Sequence, residues 1–374
     1  MKTSVLHQKF LTICSILFLI AGSDITTSRK LQLKSITFLF IRTFVILAAS
    51  YYQGIRTLLL AYNGYWCTNP YWFLESVPFL LLTLETVITY TLPSMKRRQI
   101  LQFVNMILIR LPASVIRLEV TALIVTTTVT MLYCIVIVIF IIQERISTQK
   151  CPLWTSNQEM SKETLIWLCI LDSLGRNLSG NFILYSMAIY LVVYRLVITF
   201  THEALKIVEN YLNQPVQHGV IKTFDILSEA LSVLREFDSI FSMLPLVWLT
   251  HCFMLASRHF ISFWLATEFT THVYSWTYVI ENICTYLLIF YMSNQKEKFE
   301  GSCSKIYRQV VVSDPHSDPI ARTAVMETLH SLSSHEMTAA KTVNLNRSLI
   351  LSFLGMLVTF TVLFVNMTNS GIKP

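Results

Sequence analysis

Apolar residues gather into seven long runs, about 35–60, 72–94, 119–143, 164–200, 240–268, 272–293 and 347–369. Roughly 20 mostly apolar residues in a helix cross the ~30 Å hydrocarbon core of a bilayer, so each run predicts a spanning helix. The fourth is longer than a bilayer needs and predicts a helix that continues beyond it. Only a short link around Thr270 and Thr271 parts the fifth and sixth, so the helix count turns on those few residues. An earlier run, Phe10 to Ala21, is too short to span. With Lys2 and Lys9 before it and Ala21, Gly22 and Ser23 after it, it has the form of a signal peptide. The rival reading is a short helix packed beneath the first span.

The connections carry a helical pattern of their own. Residues 95–118 read as an amphipathic helix with Ile100, Phe103, Ile107 and Leu111 on one face. Residues 201–239 place Ala204, Ile207, Val208 and Leu212 at helical spacing. Residues 295–346 carry six basic and six acidic side chains, are broken by Pro315 and Pro319, and turn helical again from about Ile320. Together these stretches predict a cytoplasmic helical bundle continuous with the spans.

Composition agrees with a membrane chain. Of 374 residues, 53% are hydrophobic and 14% charged, against about a quarter charged in a soluble domain. Nine glycines and ten prolines leave no room for low-complexity linkers, and no internal repeat is present. The net charge of +7 does not indicate nucleic acid, because the basic residues flank the apolar runs. Their natural partners are the anionic lipids of the cytoplasmic leaflet.

Counting Lys and Arg in alternate connections, with Arg347 at the foot of the last run included, puts 20 on one side and 4 on the other. The positive side is cytoplasmic, so the N-terminus lies inside and the C-terminus outside. This is opposite to a seven-helix G-protein-coupled receptor. It also opposes cleavage at Ala21, which would leave three basic residues outside. The expected fold is an all-α polytopic protein of the plasma membrane with seven transmembrane helices. It divides into a cytoplasmic segment 1–34, a bundle of helices one to six with cytoplasmic extensions over 35–294, a cytoplasmic helical segment 295–346, the seventh helix 347–369 and an extracellular tail 370–374.

Little else in the chain carries chemistry. Six of the eight cysteines fall in spans or on the cytoplasmic side, where thiols stay reduced. Cys67 and Cys151 fall in the two longest external loops and are candidates for a disulfide, or are unrelated thiols. The sequons at Asn177, Asn346 and Asn366 lie within or at the edge of a span, so none is expected to be glycosylated. There is no phosphate-binding loop, HExxH, GxSxG or paired CxxC. His330 and His335 are five apart, off the register that converges on a metal. No cofactor, metal or enzymatic activity is expected.

The last run reads NLNRSLILSFLGMLVTFTVLFVNMTN. On a helix, Ser348, Ser352, Gly355, Thr359, Val362 and Asn366 follow steps of four, three, four, three and four. They form one small or polar stripe on an apolar rod. Such a stripe lets membrane helices pack closely, or it lines water, because polar groups facing lipid are costly. Spacing alone leaves both open, and both hold if the helix meets its own copies around an axis.

The same stretch resembles the hallmark of insect gustatory receptors, which is Thr-Tyr, five hydrophobic residues, then Gln-Phe. Here Thr359-Phe360 is followed by Thr361-Val362-Leu363-Phe364-Val365 and Asn366-Met367. The spacing and the Thr are kept. Phe360 replaces Tyr, Asn366 replaces Gln and Met367 replaces Phe. The lead-in LNRSLILSFLG, the length, seven spans and an inward N-terminus also fit that family. The resemblance implies a ligand-gated cation channel, a homo- or heterotetramer whose final helices surround one pore, with a pocket for a small-molecule tastant in each subunit. Ser352, Thr359, Phe360, Val362, Leu363 and Asn366 are the implied pore or gate residues. The pocket is expected in the outer halves of spans two to six. Trp167, Asp172, Trp264 and Glu281 are the candidates there, set against an interfacial aromatic belt and paired charges as the plain alternative. Within that reading the tastant is expected to be a bitter plant compound; the alternatives are an insect odorant receptor channel or a sugar-type gustatory receptor and, outside the family, a G-protein-coupled receptor or a multi-span transporter.

Overall fold

The computed structural model describes residues 5, 8–13, 88, 96–148, 162–212, 219–264, 273–313 and 319–369. The first two predicted spans, the 1–34 segment apart from Val5 and 8–13, the tail 370–374, and Cys67 and Cys151 lie outside the described residues. The helices are α1 (Arg97–Arg110), α2 (Ala113–Thr148), α3 (Lys162–Leu212), α4 (Gly219–Phe241), α5 (Met243–Trp264), α6 (Val273–Ser313), α7 (Pro319–Ser334) and α8 (Arg347–Asn369). A two-stranded hairpin, β1 (Thr338–Ala339) and β2 (Val343–Asn344), precedes α8.

The third to seventh apolar runs each become a helix. The fifth and sixth form separate helices, α5 and α6. The fourth becomes a single helix of 51 residues that runs well past its apolar stretch. Among the described residues, Ala113–Thr130 and Ser186–Leu212 are long and apolar enough to cross a bilayer.

The 95–118 stretch is not one helix. All four residues of its predicted face, Ile100, Phe103, Ile107 and Leu111, are buried. The helix stops at Arg110, however, because Pro112 pushes Leu111 into extended backbone at ψ 142°. The next helix starts on the far side of that proline, with Ile116 N–H donating to the Pro112 carbonyl at 3.0 Å. In the continuation of α3, the buried face is Ala204, Leu205 and Val208, while Ile207 is 45% exposed. Near the N-terminus, residues 8–13 are helical and Phe10 is buried in the main core.

The polar ends of α3 and α6 pack with α4 and α7 into one bundle, whose centre is aromatic. Tyr190 meets Phe237 at 5.0 Å between ring centroids and Trp248 at 5.3 Å, both edge-on. The Trp248 indole N–H donates to Ser186 Oγ at 2.9 Å. Lys96 seals the C-terminal end of α4, donating to the carbonyls of Ser239 at 2.8 Å and Ile240 at 3.1 Å. A cation suits the exposed carbonyls of a helix end.

The hairpin has no signal in the sequence. Its turn places Ala340 at φ 50° and Lys341 at φ 59°, a region usually taken by Gly or Asn. Tertiary contacts hold it there. Asp238 of α4 accepts from the Thr338 backbone N–H at 2.8 Å and from its hydroxyl at 2.8 Å. Ala340 N–H donates to the Ser242 carbonyl at 2.6 Å.

Candidate pore helix, its mounting and a lateral cavity

α8 rests on α5 and α6 by one face. Phe353 and Leu357 are buried with Cys252 of α5, and Phe253, Ala256 and Tyr286 pack around them. Phe353 lies edge-on to Phe253 at 5.3 Å and to Tyr286 at 5.8 Å. Thr361 continues this face, buried and returning its hydroxyl to the Leu357 carbonyl at 2.7 Å.

The small and polar stripe lies on the other side of the helix. Ser348, Ser352, Gly355, Thr359, Val362 and Asn366 are all exposed in the single chain. At about 100° per residue, their mean direction is roughly opposite that of Phe353, Leu357 and Thr361. Leu363, 58% exposed, borders the stripe beside Ser352. Leu351, Leu354 and Val358 flank its other edge, exposed and apolar. Phe360 differs from the other implied gate residues, being half-buried with its ring 6.1 Å from Phe253. A Cβ added at Gly355 meets nothing within 4 Å, so among the described residues no neighbour requires that glycine.

The foot of α8 is fastened to α6. Arg347 Nη1 lies 2.8 Å from Glu297 Oε1. The same guanidinium donates to Asn294 and stacks over Phe290 at 4.7 Å. Asn346 caps the helix, its Oδ1 accepting from Leu349 N–H at 3.1 Å. Its amide donates to Glu336 at 3.3 Å, and Glu336 pairs with Lys296. Burial would raise the Glu336 carboxyl, but hydrogen bonds and charge from Lys296 and hydrogen bonds from Asn346 and Asn344 hold it below the usual carboxylate range. Displacement of α6 at residues 294–297 therefore acts directly on the base of α8. Sequence reading missed this mounting because its members are 50 residues apart for Glu297 and Arg347 and 53 for Asn294 and Arg347.

His335 adjoins it. Burial lowers its imidazole below the ordinary value; Asp238 pulls it upward and Arg235 pushes it down. The folded state thus favours neutral His335. Its contribution is present above the unfolded pKa of about 6.5 and is lost as pH falls below it. The melting temperature of purified protein should drop on acidification from about pH 6.5 to 5, and His335→Gln should reduce that drop. An unchanged pH profile in the variant would exclude His335 as the titrating group.

The pocket candidates sit on described helices, Trp167 and Asp172 on α3, Trp264 at the end of α5 and Glu281 on α6. Their side chains lie outside the described residues. The structure instead reveals a cavity further along the same helices. It measures about 490 Å³ and is lined by α2, α3 and α6, with Leu123, Tyr133, Val192 and Leu288 among its walls. Beside it lies a second, polar cavity of about 560 Å³. Glu119, 5% exposed, marks their boundary and receives Arg195 Nε at 2.9 Å and the Thr199 hydroxyl at 3.2 Å. Glu119 and Arg195 are charges inside apolar runs, and their 76-residue separation hides the pairing.

No protein-family model matches the sequence, and no curated protein matches it. Solved structures do match in fold. The insect olfactory receptor OR5 of Machilis hrabei superposes with a TM-score of 0.73 at 11% identity, covering 96% of this chain and 98% of that one. The same receptor in complex with eugenol gives 0.68 at 10% identity, with the same coverage. Over almost its whole length, then, this chain has the fold of an insect olfactory receptor.

Proposed function

We propose that the chain is a subunit of an insect gustatory-type chemoreceptor, a ligand-gated cation channel of the plasma membrane. The observation that carries this reading is the stripe on α8. It is polar, continuous and turned away from the subunit's own bundle. In a bilayer such a face requires water or other copies of itself. A homo- or heterotetramer around a central pore supplies both, and Asn366 then offers amide oxygens to a partly dehydrated cation. The olfactory-receptor fold supports a chemosensory channel, and the eugenol complex of that receptor supports a small organic ligand. The Thr359-to-Asn366 spacing favours the gustatory branch, whereas the fold likeness to an olfactory receptor favours an odorant branch as the second reading. The ligand is a bitter plant compound, bound from outside in the outer half of the bundle. Neither enzymatic activity nor a cofactor forms part of this reading.

Expression in oocytes under voltage clamp, with panels of tastants and of volatile odorants, tests it. Rapid agonist-evoked cation current without G-protein signalling is expected. Current evoked only by volatiles would favour the odorant branch, and a response abolished by G-protein blockade would reject the channel. Alanine at each of Trp167, Asp172, Trp264 and Glu281 is expected to shift agonist potency. Unchanged potency in all four would remove this pocket.

A further inference from the structure

The two adjoining cavities form one groove with a graded lining. Glu119, Arg195 and Tyr291 border both halves. On one side the walls are apolar, with Leu123, Val192 and Leu288; on the other they are Thr199, His202, Gln295 and Lys298. The groove opens sideways, since Val129 and Leu287 on the apolar half are 59% and 61% exposed and Leu118 on the polar half is 62% exposed. From Glu119 to Tyr133 the apolar half follows α2 for about 21 Å of helix rise. That is long enough to take an acyl chain through one leaflet, about half of the ~30 Å hydrocarbon core. A volume of about 490 Å³ is also of ligand size, roughly 300–1,000 Å³.

The charges of the polar half nearly cancel. Glu119 pairs with Arg195, Glu203 with Lys206, and Glu209 with Lys305. Among the described residues Lys298 has no carboxylate partner, and Arg195 makes its hydrogen bonds through Nε, leaving its terminal nitrogens for another acceptor. What remains is a site for one anionic group at the polar end of an apolar slot. We propose that the groove holds one glycerophospholipid of the cytoplasmic leaflet, its phosphate against Arg195 and Lys298 and one acyl chain beside Leu123 and Val192. The leaflet follows from the orientation in the channel reading. Tyr291 and Lys298 of α6 bracket the residues that hold the foot of α8, so the lipid contacts the helix that moves the gate.

Native mass spectrometry of the full-length protein, exchanged into detergent with palmitoyl-oleoyl phosphatidylglycerol, tests the site. One lipid retained per subunit is expected. Ala122→Trp, which fills the apolar half, should abolish retention, and Lys298→Glu should weaken it about tenfold, the loss of one charge-assisted contact. Inorganic phosphate alone should not compete; if it displaces the lipid, the site is a free-anion site. Retention unchanged in both variants, or no retained lipid in the parent protein, would overturn the proposal. No agonist enters the measurement, so a silent channel in oocytes and an empty groove are separate outcomes.

Discussion

Asn366→Leu should abolish agonist-evoked current while leaving surface expression intact. Asn366 is exposed on the single chain, one turn beyond Val362 on the outward stripe of α8. The buried face of the helix, Phe353, Leu357 and Thr361, does not involve it, so leucine leaves the folded subunit undisturbed. In a tetramer the substitution replaces four amides at the constriction with four isobutyl groups. A dehydrating ion then loses its oxygen ligands at the narrowest point, and the ring becomes a hydrophobic barrier. Asn366→Gln should conduct, because it restores the amide one methylene further toward the axis. Surface biotinylation measured beside the current separates loss of conduction from loss of protein. Normal current in Asn366→Leu would remove Asn366 from the pore.

The second large effect concerns folding. Trp248→Ala should destabilise the subunit by about 3–5 kcal/mol, the usual range for a buried large aromatic truncated to alanine. Trp248 is 1% exposed, packs edge-on against Tyr190 at 5.3 Å and donates to Ser186 at 2.9 Å. Alanine leaves a cavity where α3, α4 and α5 meet and removes the indole hydrogen bond to Ser186. Trp248→Phe keeps most of the volume and loses the indole hydrogen bond, a cost of about 1 kcal/mol. Melting of detergent-solubilised protein should rank parent above Phe above Ala, and surface expression should follow that order. An alanine variant that melts with the parent would show that this aromatic cluster does not hold the bundle together.

Much of the architecture was legible because it is local. A helix of the required length needs only a continuous apolar run, and the limits of α8 match the predicted 347–369. Pro319 at the first position of α7 marks a helix start. The link between α1 and α2 was legible in principle, since Pro112 restricts Leu111, but the apolar spacing continued across it and carried the predicted helix too far. Ile207 was placed on a buried face by spacing alone and is exposed. Periodicity says which residues share a face of a helix; it does not say where the neighbours are.

By itself the sequence determined the apolar runs, the charge asymmetry of the connections between them, and the small and polar stripe on the last helix. All of these are properties of short stretches read one at a time. Only the tertiary structure decided that the stripe faces away from α5 and α6. It alone placed the hairpin, whose left-handed Ala340 and Lys341 are held by contacts to Asp238 and Ser242. It alone brought Arg347 to Glu297 and Arg195 to Glu119. The physical reason is the same in each case. Desolvation and burial act on groups that are close in space, and those groups lie 50 to 100 residues apart along the chain.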